Sequence, residues 1–292
     1  MKRPVTGWLV LDKPAGMSSA QAVGKVRWLY GAAKAGHAGT LDPLATGILP
    51  IAFGEATKTI PFIEDGRKRY RFSLVWGSAT TTDDTEGETV ATSSHRPDEA
   101  ELRAILPRFT GSILQRPPAF SAIKVDGERA YARVRAGEVL ELPARPVQVE
   151  TLEIVSHSDT ETVFDMRCGA GTYVRSITRD IAKALGSHGH TGWLRRTGVA
   201  DFEEAGAVTI AALEATPNRD ALLLAPAAAL RHLPQIALSP EDAALIRHGN
   251  PVLLRGHNAP LEIPAAWVSF QGNVLALGRV EQGQFRPGRV LA

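Results

Sequence analysis

Between Thr46 and Gly54 the chain reads TGILPIAFG, a short, almost unbroken apolar run. A run of that length, bounded by turn signals, reads as a buried strand. Directly before it lies GHAGTLDPLA, which is glycine, threonine, alanine and proline around a single acid, Asp42. An Asp-Pro pair in such a stretch ordinarily marks a turn in which the aspartate bonds its own backbone. This loop is long for a mere turn, and it stands between His37 and the apolar strand. A functional carboxylate needs a rigid support, and a buried strand supplies one.

A carboxylate that works as nucleophile or base at neutral pH should stay ionised, which asks for a nearby cation or hydrogen bonds to the charged form. Arg175, in GTYVRSI beside Tyr173, is a candidate, although an arginine in the first turn of a helix is more often simply exposed.

The chain has 292 residues, 44% hydrophobic and 22% charged, which fits a folded protein of one large domain or a large and a small one. The net charge is only +2, but it is unevenly spread. Residues 1–75 hold 11 Lys/Arg against 5 Asp/Glu, and residues 76–115 hold 3 against 7. A basic face set against an acidic lobe could steer a polyanion to one side. The single cysteine, Cys168, excludes a disulfide or a cysteine-based zinc site within the chain and fits a reducing compartment. The basic, briefly apolar N-terminus is too short for a signal peptide. The longest apolar stretch, ALLLAPAAAL (221–230), is far below a membrane span and reads as a helix.

Residues 7–14 read as a strand stopped by proline, and SSAQAVGKVRWLYG as a helix with a Ser18/Gln21 capping box and a stop at Gly31. In KRYRFSLVWG (68–77), Tyr70, Phe72, Leu74 and Trp76 alternate with mostly polar residues, as in a strand with one apolar face. Residues 97–111 read as a helix and 112–145 as an irregular, exposed basic arm. VQVETLEIVSH and ETVFDMRCG read as strands, and 171–186 as a helix stopped by Gly186. GSHGHTGW (186–193), with His188 and His190, reads as a polar loop, since two histidines alone make a poor metal site. From about residue 234, a capped helix (239–249) precedes short strands with turns at Gln271-Gly272-Asn273 and Gln282-Gly283, which suggests a small β-barrel or sandwich. A domain boundary falls near residues 230–236, which divides the chain into 1–232 and 233–292.

Five fragments in order, GWLVLDKPAGMSS, GHAGTLDPLATGILPIAFGEATK, KRYRF, PPAFSAIKVDGERAYARVRAGE and GTYVRSI, resemble the bacterial tRNA pseudouridine synthase B family over roughly residues 5–200. The resemblance implies an α+β pseudouridine synthase fold: a mixed, mostly antiparallel sheet flanked by helices with a central cleft. It also implies a small C-terminal β-rich, PUA-like RNA-binding domain. The implied activity is isomerisation of uridine to pseudouridine at position 55 of the tRNA T-loop, by a cytoplasmic, monomeric enzyme with no obligate protein partner and no membrane association. The implied partner is the T-stem and T-loop of tRNA. No cofactor is implied, in keeping with the lack of a P-loop, a dinucleotide fingerprint or a metal-ligand cluster in the sequence.

By the same resemblance Asp42 is the essential catalytic residue, able to attack C1′, add to C6 or remove a sugar proton. Arg175 pairs with it, and Tyr173 takes the C5 proton. Tyr70 stacks on the target base, Leu194 packs against it, and His37 fills the space the flipped nucleotide leaves. Lys124, with Arg129, Arg133 and Arg135, belongs to an arm (about 116–145) that closes over the T-stem. Asp84, in the loop TTTDDTEG, contacts substrate. Pro61 interrupts what the family builds as a helix. Two other functions compete: a non-catalytic RNA-binding or tRNA-folding protein, and a glycoside hydrolase. The first gains nothing from an anion facing phosphates. The second needs another acid beside Asp42, and the same loop offers none.

Overall fold

A computed structural model describes residues 2–64, 66–121, 123–125, 127–138, 140, 142–256 and 259–291; the side chains of Glu64, Lys124, Val125, Arg129, Tyr131, Ala132 and Arg135 lie outside the described residues. The frame is a ten-stranded sheet among the described residues. Its strands include β1 (Gly7–Lys13), β2 (Ala35–His37), β3 (Thr46–Phe53) and β4 (Lys68–Trp76). The order runs Val208–Thr209, β1, β3, Gly189–Val199, β4, Glu161–Cys168, Arg145–His157, Gly111–Gln115, with β2 alongside β3. The pairings are antiparallel except β1 with Val208–Thr209 and β3 with Gly189–Val199. Strand β3 is interior, and seven of its eight residues are buried, which is why its sequence is apolar without alternation.

Alternation along the strands sorts the side chains onto two faces. Leu9, Leu11, Leu49, Ile51, Tyr70 and Phe72 share one core with Val26 of helix α1 (Ser19–Leu29), with its C-cap residue Tyr30, and with Ile177 and Ile181 of the helix Val174–Ala184. Ser18 and Gln21 form the expected capping box on α1. On the opposite face Trp8, Val10, Ile48 and Ala52 pack with Phe202, Ala229, Trp267 and Leu277. Trp267 and Leu277 belong to a second, five-stranded sheet ordered Gln235–Ala237, Ile263–Phe270, Asn273–Glu281, Gln284–Val290, Val252–Leu253. Its hairpin turns fall at Gln271-Gly272 and Gln282-Gly283, where all four residues take positive φ. The helix Pro240–Arg247, capped by Ser239, lies between its strands Gln235–Ala237 and Val252–Leu253.

Several sequence expectations need correction. GSHGHTGW is not a loop: from Gly189 it is part of the strand Gly189–Val199, which lies between β3 and β4. Its interior position is hidden because its charges are satisfied by partners far away in the sequence. Arg195 bonds both oxygens of Asp12 at 3.0 and 2.9 Å, and Arg196 is wholly buried against backbone carbonyls. The stretch 221–230 is not a helix but carries two 3-10 turns, Arg219–Leu222 and Pro226–Ala229, because Pro226 resets the backbone. The helix read over 97–111 ends as α-helix at Ile105 and tightens into a 3-10 turn that contains Pro107. The basic arm is not wholly irregular. Gly111–Gln115 pairs with Arg145–His157 in the main sheet, and a short hairpin leads into the helix Ala130–Arg135. Pro61 sits in the first turn of the short helix Ile60–Glu64, directly after the 3-10 turn Gly54–Thr59, so this segment is not one continuous α-helix, as its proline implies.

Candidate active site

The Asp42 loop, residues 38–45, runs from the end of β2 to the start of β3 and is tied down on both sides of the acid. On one side Ser19 Oγ accepts from Leu41 N–H at 2.8 Å and donates to the Leu41 carbonyl at 3.0 Å. On the other, the Pro43 carbonyl accepts from Gly16 N–H at 2.9 Å and from Lys13 Nζ at 3.3 Å. Lys13 Nζ also donates to the carbonyls of Pro14 (2.8 Å) and Met17 (2.7 Å), so it knits the end of β1 to the loop. Burial pulls the Lys13 ammonium down to about 8, with the Asp42 carboxylate opposing the shift.

Beneath the loop lies Arg196. Its guanidinium donates to the carbonyls of Ile48 (2.7 Å), Gly39 (2.9 Å) and Thr40 (3.4 Å), and it is 0% exposed. Burial lowers its pKa, and the neighbouring Tyr70 hydroxyl, also a hydrogen-bond partner, opposes that. Tyr70 is itself pushed up to about 12, first by burial. The strand of Arg196 approaches β3 closely at Gly47, where φ is +96° and a Cβ would stand 2.2 Å from the Arg196 carbonyl oxygen.

Arg175 projects from the first turn of the helix Val174–Ala184. Its Nε donates to Asp42 Oδ2 at 2.9 Å, and its side chain is only 4% exposed against 33% for Asp42. Its Nη1 donates to the Thr82 carbonyl at 3.0 Å and its Nη2 to the Phe120 carbonyl at 2.9 Å. Asp84, buried, places Oδ2 3.6 Å from the same Nε. Asp84 Oδ1 accepts from Thr82 Oγ1 at 2.5 Å and from Glu86 N–H at 3.0 Å. Thus the second acid that the Asp42 loop lacks is brought to the arginine by a different loop. Tyr173 caps the helix. The Gln115 side chain holds it there, accepting from its N–H at 2.8 Å and donating to its carbonyl at 3.1 Å. The Arg145 guanidinium lies 5.5 Å from the centre of the Tyr173 ring.

Asp42, Tyr70, Tyr173, Arg175 and Leu194 line one cavity of about 360 Å³, with Lys68, Arg145 and Arg196 beside them. That volume falls in the range of small-ligand sites. Residues from positions 39 to 196 meet there because β3, Gly189–Val199 and β4 are neighbours in the sheet. His37 and Asp84 are not among the lining residues. His37 ends β2 opposite Ile51, and its Nδ1 is buried without a hydrogen-bond partner. Burial lowers its pKa, and Arg196 adds to the shift. Lys124 lies in the short hairpin strand Lys124–Val125, and its side chain is outside the described residues, as are those of Arg129 and Arg135. A larger cavity, about 630 Å³, is lined by Arg69, Phe202 and Arg231. Arg69 alternates with Tyr70, so that cavity opens on the sheet face away from Asp42.

Sequence reasoning missed Arg196, Gln115, Lys13, Lys68 and Arg145. Arg196 and Lys13 carried one available signal: a charged residue in a stretch that must be strand interior has to find buried partners. Gln115 and Arg145 carried none, because only the pairing of Gly111–Gln115 with Arg145–His157 sets them beside Tyr173.

A pocket that joins an aspartate to an arginine above a mixed sheet can be compared with known families. Residues 27–174 match the model of the TruB family pseudouridylate synthase N-terminal domain, and residues 175–233 match that of the tRNA pseudouridylate synthase B C-terminal domain. The chain is 50% identical over 315 residues to tRNA pseudouridine synthase B of Mesorhizobium japonicum, an alignment that covers 99% of this chain and 97% of that one. It is 50% identical over 311 residues to tRNA pseudouridine synthase B of Brucella anthropi, covering 99% and 96%. The chain belongs to the TruB family of pseudouridylate synthases. Among solved structures, one chain of a Cbf5–Nop10–Gar1 complex superposes with a TM-score of 0.76 at 23% identity, covering 98% of this chain and 84% of that one. A chain of an archaeal box H/ACA Nop10–Cbf5 complex gives 0.74 at 23% identity, covering 98% and 85%. These two likenesses establish the pseudouridine synthase fold. Among the described residues no helix is long and apolar enough to cross a membrane.

Proposed function

We infer that this chain isomerises uridine to pseudouridine in tRNA, at position 55 of the T-loop. The observation that carries the reading is the Asp42–Arg175 pair at 2.9 Å in a cavity walled by Tyr70 and Leu194, in a chain of the TruB family. The reaction breaks the C1′–N1 bond, turns the uracil and joins C1′ to C5. The proton lost from C5 is balanced by one gained at N1, so nothing is oxidised and no group is added.

In this reading Asp42 is the reacting carboxylate, able to attack C1′, add at C6 or remove a sugar proton. Arg175 holds that carboxylate in place while the helix holds Arg175. Tyr70 offers an aromatic face to the detached base, with Leu194 against its edge, and the Tyr173 hydroxyl accepts the C5 proton. Asp84 backs Arg175 from behind; it acts through the arginine rather than on the base. His37, half-buried at the rim of the loop, enters the RNA as the nucleotide swings out. The cost of flipping, a few kcal/mol, is offset by stacking and by phosphate contacts from residues 116–145, Lys124 among them.

Residues 1–232 form the catalytic domain in this reading, and residues 233–292 a PUA-like RNA-binding domain. The enzyme works as a cytoplasmic monomer on the T-stem and T-loop. The test is incubation of unmodified tRNA with the purified chain, followed by mapping of pseudouridine. One modified site at position 55, absent when that uridine is replaced by cytidine, supports the reading. Modification elsewhere refutes the site, and none refutes the activity.

A further inference from the structure

Four residues beyond Arg175, on the same side of the helix Val174–Ala184, stands Arg179. Its contacts repeat those of Arg175 one turn along. Arg179 Nη1 donates to Asp83 Oδ2 at 2.9 Å, and its Nη2 donates to the Arg116 carbonyl at 2.9 Å. Arg175 likewise reaches the neighbouring Thr82 carbonyl and the Phe120 carbonyl. Each arginine therefore joins the helix to the acidic loop and to the chain entering the arm. The Arg116 carbonyl is held a second time, by Ser176 Oγ at 2.8 Å.

Asp83 is built into the loop rather than scattered on its surface. Its φ is +61°, a left-handed conformation that aspartate tolerates better than most residues. Its carbonyl accepts from Thr191 N–H in the strand Gly189–Val199 at 3.0 Å. Its side chain is 16% exposed and that of Arg179 26%. Asp180 also accepts from Arg179 Nε at 2.8 Å, which fixes the plane of the guanidinium. Asp83 is flanked in sequence by both residues that the Arg175 guanidinium contacts in this loop, Thr82 through its carbonyl and Asp84 through its carboxylate. Any slip of Asp83 is passed directly to them.

We propose that the Arg179–Asp83 pair is a positioning device for the reaction: it fixes the acidic loop and the base of the arm against the helix, so that Arg175 is presented to Asp42 in register. The inference rests on the isomerase reading. Neither residue lines the cavity, so neither touches the base. The expected signature is a loss in the chemical step with tRNA affinity retained, since misplacement of a reacting group by a fraction of an ångström slows chemistry without removing a binding contact.

The test uses the full chain with Asp83→Asn, Arg179→Gln and the double variant. Single-turnover rates on unmodified tRNA, tRNA binding and Tm are measured for each. The proposal expects each single change to slow the step by about 10-fold with tRNA affinity within about twofold of the parent. It expects the double variant to be no slower than the slower single one, because Arg179→Gln already breaks the pair that Asp83→Asn weakens. Asp83→Asn keeps the size and the left-handed tolerance of the residue, so it carries the test alone should Arg179→Gln fail to fold. A folded Asp83→Asn enzyme with an unchanged rate overturns the proposal, as do losses that multiply in the double variant. An inactive parent chain overturns the isomerase reading itself, which the variants alone cannot do.

Discussion

Arg175 Nε and Asp42 Oδ2 stand 2.9 Å apart although the two residues are 133 positions apart in the chain. The contact is made by a nearly buried guanidinium whose other two nitrogens are committed to backbone carbonyls, so the arginine cannot follow the aspartate if it moves. Asp42 is thereby referenced to the helix as well as to its own loop. Arg175→Met removes that reference and leaves Asp84 buried without its cation. We expect a fall in single-turnover rate of at least about 100-fold, read on unmodified tRNA, with a smaller change in tRNA affinity.

Arg196 is a second organising group, and it works on the fold. Three carbonyls of the Asp42 loop and of β3 take hydrogen bonds from its buried guanidinium. Arg196→Met strands those acceptors, and we expect a loss of about 3 kcal/mol in unfolding free energy, measured by denaturant titration. Gly47→Ala is expected to be at least as damaging, since the added Cβ meets the Arg196 backbone at 2.2 Å and the residue must keep φ at +96°.

The sign of the Lys13 shift gives a pH test. Its folded pKa, about 8, lies below its ordinary value of 10.5, so between those limits the unfolded chain binds more protons than the folded one. The stabilising contribution of this group is present above the unfolded value and is lost as pH falls through about 8. The stability difference between the parent and Lys13→Met is therefore expected to grow in the parent's favour from pH 8 to pH 10. A difference that is flat across that range would contradict the assignment.

Legibility in the sequence followed burial. β3 was readable because its seven buried residues are apolar, and β4 because one face alternates cleanly. The pair of Asp42 and Arg175 was anticipated from the resemblance and from the need to hold a carboxylate ionised. The strand Gly189–Val199 was not, because its interior residues include His190, Thr191 and Arg196, whose partners sit on other strands and on the helix Val174–Ala184. Nor could the Asp42 loop alone disclose Asp84, which arrives through the bridge between Asp84 and Thr191. The 3-10 turns in 221–230 escaped because alanine and leucine favour helix, while Pro226 and the bond from Trp8 N–H to the Leu224 carbonyl at 2.8 Å decide otherwise.

Residues 116–145 carry an electrostatic prediction. If they meet the phosphates of the T-stem, tRNA affinity should fall as salt rises, and Lys124→Ala should make the slope of log K against log salt shallower by about one unit. An unaltered slope would take Lys124 out of the RNA interface.

The most direct test of the central claim compares the parent chain with Asp42→Asn on unmodified tRNA, measuring both pseudouridine at position 55 and tRNA binding. Asparagine keeps the shape of the side chain and removes the charged oxygen that Arg175 holds. The expected result is unimpaired binding with no pseudouridine formed by the variant. Pseudouridine formed by Asp42→Asn at the parent's rate would contradict the account.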